Sequence, residues 1–175
     1  DGAKKLESAG VDFIVMPCNT AHMFSDDVKA EINIPFIDIV DETINEITEY
    51  FSDKVSIGIM ATAACINAKI YQEGLSHKGK TCLLPDNHYQ DECMKGIFSI
   101  KEGSKLLDPS VILSLVANHL VEKGAEIIIA GCTEIPLVLK DKDLEVPLVS
   151  STEVLAIKTI EYANHLTIKR NYNKE

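Results

Sequence analysis

Two cysteines of the chain stand in matching contexts. The run Gly10-Val11-Asp12-Phe13-Ile14-Val15-Met16-Pro17-Cys18-Asn19 parallels Gly124-Ala125-Glu126-Ile127-Ile128-Ile129-Ala130-Gly131-Cys132-Thr133. Each copy has a glycine that ends a helix, an acidic residue two positions on, an apolar strand, and a cysteine eight positions after the glycine. The parallel continues through Ile34-Pro35-Phe36-Ile37 and Val146-Pro147-Leu148-Val149, and then through the polar helix starts Asp41-Glu42-Thr43 and Ser151-Thr152-Glu153. A thiol just past the C-terminal end of a parallel strand lies where open α/β sheets bind ligands. The following helix N-terminus is expected to favour thiolate over thiol. Two lobes facing each other then offer one substrate a thiol on each side. Inversion of a carbon centre requires that arrangement: one thiolate takes the α-proton, and the opposing thiol protonates the other face. Asn19, Thr20 and Thr133, with backbone N–H groups, are placed to hold a carboxylate and the developing charge.

The elements that must position these thiols are legible in the apolar pattern. Strands are predicted over 11–16, 36–39, 55–60, 81–84, 126–130 and 148–150. Several are continuous apolar runs, as in a sheet buried on both faces. Helices are predicted over 20–32, 42–51, 63–75, 90–100, 109–123 and 152–165. Asp108 before Pro109 reads as an N-cap with a helix-starting proline, and Gly124 as a C-terminal stop. Alternation of strand and helix predicts an α/β fold. The repeat makes it two pseudo-symmetric three-layer α/β domains with mainly parallel sheets and an active site in the cleft between them. One lobe is predicted from 1–37 plus 147–175, the other from 38–146.

Composition narrows the function classes. The chain has 175 residues, 46% of them hydrophobic and 25% charged, which is ordinary globular content. No apolar run approaches the ~20 residues of a membrane-spanning helix. The net charge is −10, and the single arginine is Arg170, so no basic stripe exists to meet a phosphate backbone. Five cysteines without a C-x-x-C pair argue against a zinc ribbon or a thioredoxin-type motif. No metal-ligand spacing is present, and a reduced cytoplasmic protein is the default expectation. Cys82 and Cys93 read as core thiols, and His22 as a satisfied structural histidine.

Met16-Pro17-Cys18-Asn19-Thr20-Ala21-His22 and Ala130-Gly131-Cys132-Thr133-Glu134-Ile135-Pro136-Leu137 resemble the two signature motifs of the aspartate/glutamate racemase family. The resemblance runs through nearly the whole chain. It includes Ile59-Met60-Ala61-Thr62 opening a helix that reaches Tyr71, then Leu84-Pro85 with Gln90, and Ile100-Lys101-Glu102-Gly103. It implies a cofactor-independent racemase of acidic amino acids, with Cys18 and Cys132 as the catalytic cysteines. Cys18 is then expected to serve the D-enantiomer and Cys132 the L-enantiomer. Glu134 resembles the aspartate racemase branch and is placed to assist proton traffic at Cys132. Lys101 matches a lysine expected to hold a substrate carboxylate. Asn19, Thr20, Thr62, Cys65, Thr133 and Glu134 complete the expected substrate contacts. The implied partner is a small amino acid, with no nucleic acid and no membrane, and the implied assembly is a homodimer.

Departures from the resemblance are specific. Ala64 and Cys65 stand where the family pattern ends Gly-Thr, and Ser150 stands where many relatives have Asp. The family's opening Gly-rich turn and substrate-binding arginine have no match here. The expectation from this is a chain lacking an opening segment of ~60 residues, about two strand–helix units, and inactive alone. A hydantoin racemase or maleate isomerase type of enzyme, or a non-catalytic amino-acid-binding relative, is the alternative.

Overall fold

The computed structural model describes residues 1–103 and 108–172, with side chains described through Leu166. Arg170 is thus outside the described side chains. The elements in chain order are α1 (Gly2–Ser8), β1 (Ile14–Val15), a 3₁₀ turn (Thr20–Phe24), α2 (Ser25–Ala30), β2 (Phe36–Ile37) and α3 (Ile39–Tyr50). There follow β3 (Ser56–Ala61), α4 (Ala63–Asn67), α5 (Ile70–His77), β4 (Thr81–Leu83), α6 (Asn87–Glu102) and α7 (Pro109–Glu122). The chain closes with β5 (Ile127–Gly131), α8 (Ile135–Val138), a second 3₁₀ turn (Asp141–Asp143), β6 (Leu148–Ser150) and α9 (Ser151–Tyr172). The strands form two parallel sheets: β1-β2, and β4-β3-β5-β6 in that order.

The larger sheet is buried on both faces, as its unbroken apolar strands predict. Ile57, Ile59, Ala61, Ile127, Ile129 and Val149 pack with α3, α5 and α9 residues on one side. Met60, Ile128, Ala130 and Leu148 pack with α6, α7 and α8 residues on the other. Helix, sheet and helix are the three layers of the expected α/β fold. Among the described residues no helix is long and apolar enough to cross a membrane.

The sequence repeat is a repeat of structure. Gly10 and Gly124 both take positive φ, +83° and +95°, and so end α1 and α7 in the left-handed conformation that suits glycine. Ile14 pairs with Phe36 in one sheet and Ile128 with Leu148 in the other, and these are equivalent positions of the repeat. Ile14 N–H donates to the Pro35 carbonyl at 2.9 Å, and Ile128 N–H to the Pro147 carbonyl at 2.9 Å. One boundary differs from the sequence reading. Residues 148–150 hydrogen-bond to β5, so this strand lies in the larger sheet with 38–146 rather than with 1–37. α9 then packs against both α3 and β2.

Local chemistry explains the other departures. The predicted strand over 36–39 stops at Ile37 because Asp38 caps α3, its Oδ1 accepting from Val40 N–H at 2.9 Å and Asp41 N–H at 3.3 Å. The predicted helix over 63–75 is two helices, broken at Lys69, whose φ of 54° is left-handed. The predicted helix over 20–32 begins as the 3₁₀ turn and continues as α2. Asp108, Pro109 and Gly124 bound α7 as expected, with Asp108 accepting from Ser110 N–H at 2.9 Å.

Asp38 supplies a stability prediction. Burial opposes its ionisation, but Lys29 Nζ at 2.8 Å and the Val40 N–H hold its carboxyl below the ordinary carboxylate range. Asp38→Ala is expected to cost about 1–2 kcal/mol through the lost cap. A carboxyl depressed in the folded state stabilises at neutral pH, and loses that effect as pH falls through its folded value. The gap between wild type and variant in chemical denaturation therefore narrows toward acid pH.

Candidate active site

Parallel strands end at one edge of the larger sheet, and that edge gathers the predicted site. Ala61 pairs with Gly131, so Thr62 and Cys132 follow side by side; Ala130 pairs with Ser150, so Ser151 lies on the other flank. The Cys18 loop reaches both flanks. Thr20 Oγ1 and Thr62 Oγ1 are hydrogen-bonded at 2.7 Å, and Asn19 Nδ2 donates to Ser151 Oγ at 3.0 Å. β5, which presents Cys132, lies between these two anchors.

Around Cys132 the polar groups form a short relay. Its Sγ donates to Glu134 Oε2 at 2.9 Å, and Thr133 Oγ1 donates to the same oxygen at 3.0 Å. Lys101 Nζ, near the end of α6, is 3.5 Å from Glu134 Oε1. Burial first, then the Glu134 hydrogen bond and charge, push the Cys132 thiol up to about 12. The expected helix-lowered thiol is therefore absent at Cys132. α8 has only four residues, and burial beside an anion outweighs it. Burial also opposes ionisation of Glu134, but the Cys132 and Thr133 hydrogen bonds and the Lys101 charge hold it below its ordinary value.

Around Cys18 the arrangement is different. Cys18 is exposed, and Cys132 is buried. Cys65 is 1% exposed, its N–H donating to Thr62 Oγ1 at 3.2 Å. Burial, and secondarily the charge of nearby Cys18, push its thiol up to about 12. Thr62 thus caps α4 while bonding Thr20. His22 is buried and satisfied, as its sequence context suggests. Nδ1 donates to the Cys18 carbonyl, which only accepts, at 2.7 Å, and Nε2 lies 3.3 Å from the Ile39 nitrogen and 3.5 Å from Asp38 Oδ1. The histidine holds the Cys18 loop against the start of α3.

The Asn19 side chain is engaged within the protein. It is 2% exposed, and its amide turns inward to Ser151 and to Tyr71, whose hydroxyl donates to Asn19 Oδ1. In the sequence Tyr71 marks only the end of a helix, and Ser151 only part of a helix start. A polar Ser151 where the first copy of the repeat has Ile39 was the available signal. Cys93 is a core thiol, and Cys82 is half-buried beside the core. Among the described residues no group of His, Cys, Asp and Glu is arranged to hold a metal ion.

Glu134 gives a prediction independent of turnover. Removing its charge takes away a cause that raises the Cys132 thiol, so the thiolate fraction must increase. Glu134→Gln is expected to speed iodoacetamide alkylation of Cys132 by about tenfold at pH 8, the effect of one pKa unit. Peptide mass spectrometry of a time course reads this out, and an unchanged rate removes the charge coupling.

Known proteins resemble this chain in sequence and fold. The profile of the family described as Asp/Glu/Hydantoin racemase matches residues 1–159. A broad-specificity amino-acid racemase of Bacillus subtilis (strain 168) is 34% identical over 160 residues, which span 91% of this chain and 68% of that protein. The aspartate racemase of Picrophilus torridus aligns with a TM-score of 0.80 at 28% identity, covering 93% of this chain and 67% of that one. An aspartate racemase homologue from Pyrococcus horikoshii OT3 gives a TM-score of 0.78 at 31% identity, covering 93% of this chain and 71% of its own. With the profile match spanning all but the last residues and the strand–cysteine unit present twice, the chain belongs to the Asp/Glu/Hydantoin racemase family.

Proposed function

We propose that the chain acts as a cofactor-independent amino-acid racemase, on aspartate first and glutamate second, through two thiols. Cys18 exchanges the α-proton with the D-enantiomer and Cys132 with the L-enantiomer. The observation that carries this reading is the duplicated strand–cysteine unit, with the same strand register and the same proline-carbonyl hydrogen bond in both copies. Two equivalent thiol loops joined across one sheet edge suit two-sided proton transfer at a single carbon.

The roles divide by environment. Cys132 rests as a thiol hydrogen-bonded to Glu134, which suits a proton donor. When the L-enantiomer is consumed, Glu134 is the group at hand to receive its proton. Lys101 keeps Glu134 anionic between turnovers and, freed from it, offers its charge to a substrate carboxylate. The Thr20, Thr62 and Thr133 hydroxyls are the remaining polar groups for the substrate, with the buried Cys65 packed behind Thr62. The protein is proposed to work as a homodimer in the cytoplasm.

The test is deuterium incorporation at Cα from D₂O for L- and D-aspartate, with inversion followed by circular dichroism, on the natural gene product at its full natural length. Calorimetric binding of aspartate without any exchange identifies an amino-acid-binding relative instead. A wider specificity has its own support: one relative is a broad-specificity racemase, and Cys65 replaces an expected threonine hydroxyl. Neutral amino acids, a hydantoin and maleate belong in the same substrate panel.

A further inference from the structure

One buried chain of hydrogen bonds runs from the first cysteine loop to the strand that carries the second cysteine. Tyr71 Oη donates to Asn19 Oδ1, Asn19 Nδ2 donates to Ser151 Oγ at 3.0 Å, and Ser151 Oγ donates to the Ala130 carbonyl at 2.9 Å. The direction is forced from one end. The Ala130 carbonyl only accepts, so Ser151 spends its proton there and must accept from Asn19. The Asn19 amide then has its NH₂ toward Ser151 and its oxygen toward Tyr71, so Tyr71 donates. Tyr71 and Ser151 are 0% exposed, so bulk solvent does not reach these groups. Asn19 follows Cys18 directly, and Ala130 lies two residues before Cys132.

We infer that Tyr71, Asn19 and Ser151 are positioning residues that fix the Cys18 loop against the Cys132 strand and so set the separation of the two thiols. This rests on the two-thiol reading above. It replaces the substrate contact expected of Asn19 with a structural clamp, and it gives Tyr71 and Ser151 a part in the reaction. The Thr20–Thr62 bond anchors the same loop on the β3 flank. Without the Ser151 anchor the loop loses its hold on the β6 flank of β5.

The kinetic consequence is distinctive. Inversion needs two transfers, and a misplacement of ~1 Å can cost about 10²-fold in one of them. A slack Cys18 loop spoils delivery from the far face, while the thiol that took the proton can still return a deuteron to its own face. Exchange with retention therefore persists while inversion falls. Global destabilisation lowers both in proportion to the folded fraction.

The experiment compares Ser151→Ala and Tyr71→Phe with Ile47→Val, a core variant on α3 outside this hydrogen-bond chain, in the natural gene product. For L-aspartate in D₂O, deuterium in the retained substrate is measured against D-aspartate formed. Both hydroxyl variants are expected to lose inversion about 10- to 100-fold, with KM within about threefold, and to raise the ratio of retained exchange to inversion at least tenfold. Ile47→Val leaves the ratio at the wild-type value. A ratio unchanged in both hydroxyl variants overturns the inference. Amide hydrogen exchange gives a second readout that needs no turnover. The His22 N–H, bonded to the Asn19 carbonyl at 3.0 Å, is expected to lose at least tenfold protection in Ser151→Ala and Tyr71→Phe but not in Ile47→Val. If the wild type exchanges no amino-acid α-proton, the proposed activity falls. Loss of His22 protection then still supports the clamp, and unchanged protection overturns it.

Discussion

On the proposed two-thiol mechanism, Cys18→Ala and Cys132→Ala are each expected to reduce racemisation of aspartate by at least about 10³-fold, because each removes one of two positioned proton transfers. The two variants are expected to fail differently. With Cys132 gone, Cys18 still takes and returns the proton of D-aspartate, so that enantiomer keeps washing in deuterium without inverting. With Cys18 gone, only L-aspartate exchanges. The double variant exchanges neither. Chiral chromatography of deuterated substrate separates these outcomes. Full racemisation by both single variants would falsify the two-thiol mechanism. Folding is the necessary control. Cys18 is exposed, so its loss costs little, whereas Cys132 packs in the second core and its truncation leaves a small void.

The pH profile follows from the same groups. A Cys132 thiol pushed up to about 12 remains protonated at neutral pH, so the direction that uses it as a donor has no alkaline fall near pH 8. The opposite direction needs the thiolate. Its rate on L-aspartate is expected to rise about tenfold per pH unit below that value until Glu134 or another step limits it. Unequal profiles for the two directions at constant equilibrium require KM to change with them, since racemisation of a free amino acid has an equilibrium constant of one.

What the amino-acid order disclosed was the repeat, and with it both cysteine loops, the parallel strands and the helix boundaries at Asp108 and Gly124. These are local signals: apolar runs, caps, and glycines that take left-handed φ. What it concealed depends on contacts between distant segments. Asn19 reads as a ligand-binding polar residue until Tyr71, 52 positions away, and Ser151, 132 positions away, are seen to occupy its amide. Cys132 reads as an activated thiol until burial and Glu134 are weighed against a helix of four residues. That β6 pairs with β5 is not legible in the sequence, because a crossover has no signature in composition. The strand is too short to declare its neighbour, and the hydrogen bonds to β5 decide it.

Gly131→Val is expected to be the most destabilising single change near the site, and the repeat explains why. The equivalent residue of the first copy is Pro17, two positions past β1, whereas Gly131 closes β5 in the middle of the larger sheet. A Cβ at Gly131 meets the Ala61 Cβ, the Met60 carbonyl oxygen and Tyr71 Cε2, each at 3.2 Å. The backbone oxygen is fixed by the sheet, and the Tyr71 ring is fully buried, so no neighbour has free space to retreat into. Alanine alone forces a shift of a few tenths of an ångström. Valine adds two methyl groups to the same place, an overpacking of about 1–3 kcal/mol. Displacing the Tyr71 ring also pulls its hydroxyl from Asn19 Oδ1, and a buried acceptor left unpaired adds about 1–3 kcal/mol. At about 2–4 °C per kcal/mol for a chain of this size, the melting temperature falls by roughly 4–24 °C. Gly131→Ala is expected to lose less than half of that, and Tyr71→Phe combined with Gly131→Val less than the sum of the two, because both act on one hydrogen bond. Differential scanning calorimetry of the three variants measures the coupling. Additive losses place the Gly131 constraint in the sheet alone, and subadditive losses tie it to the clamp that holds the Cys18 loop.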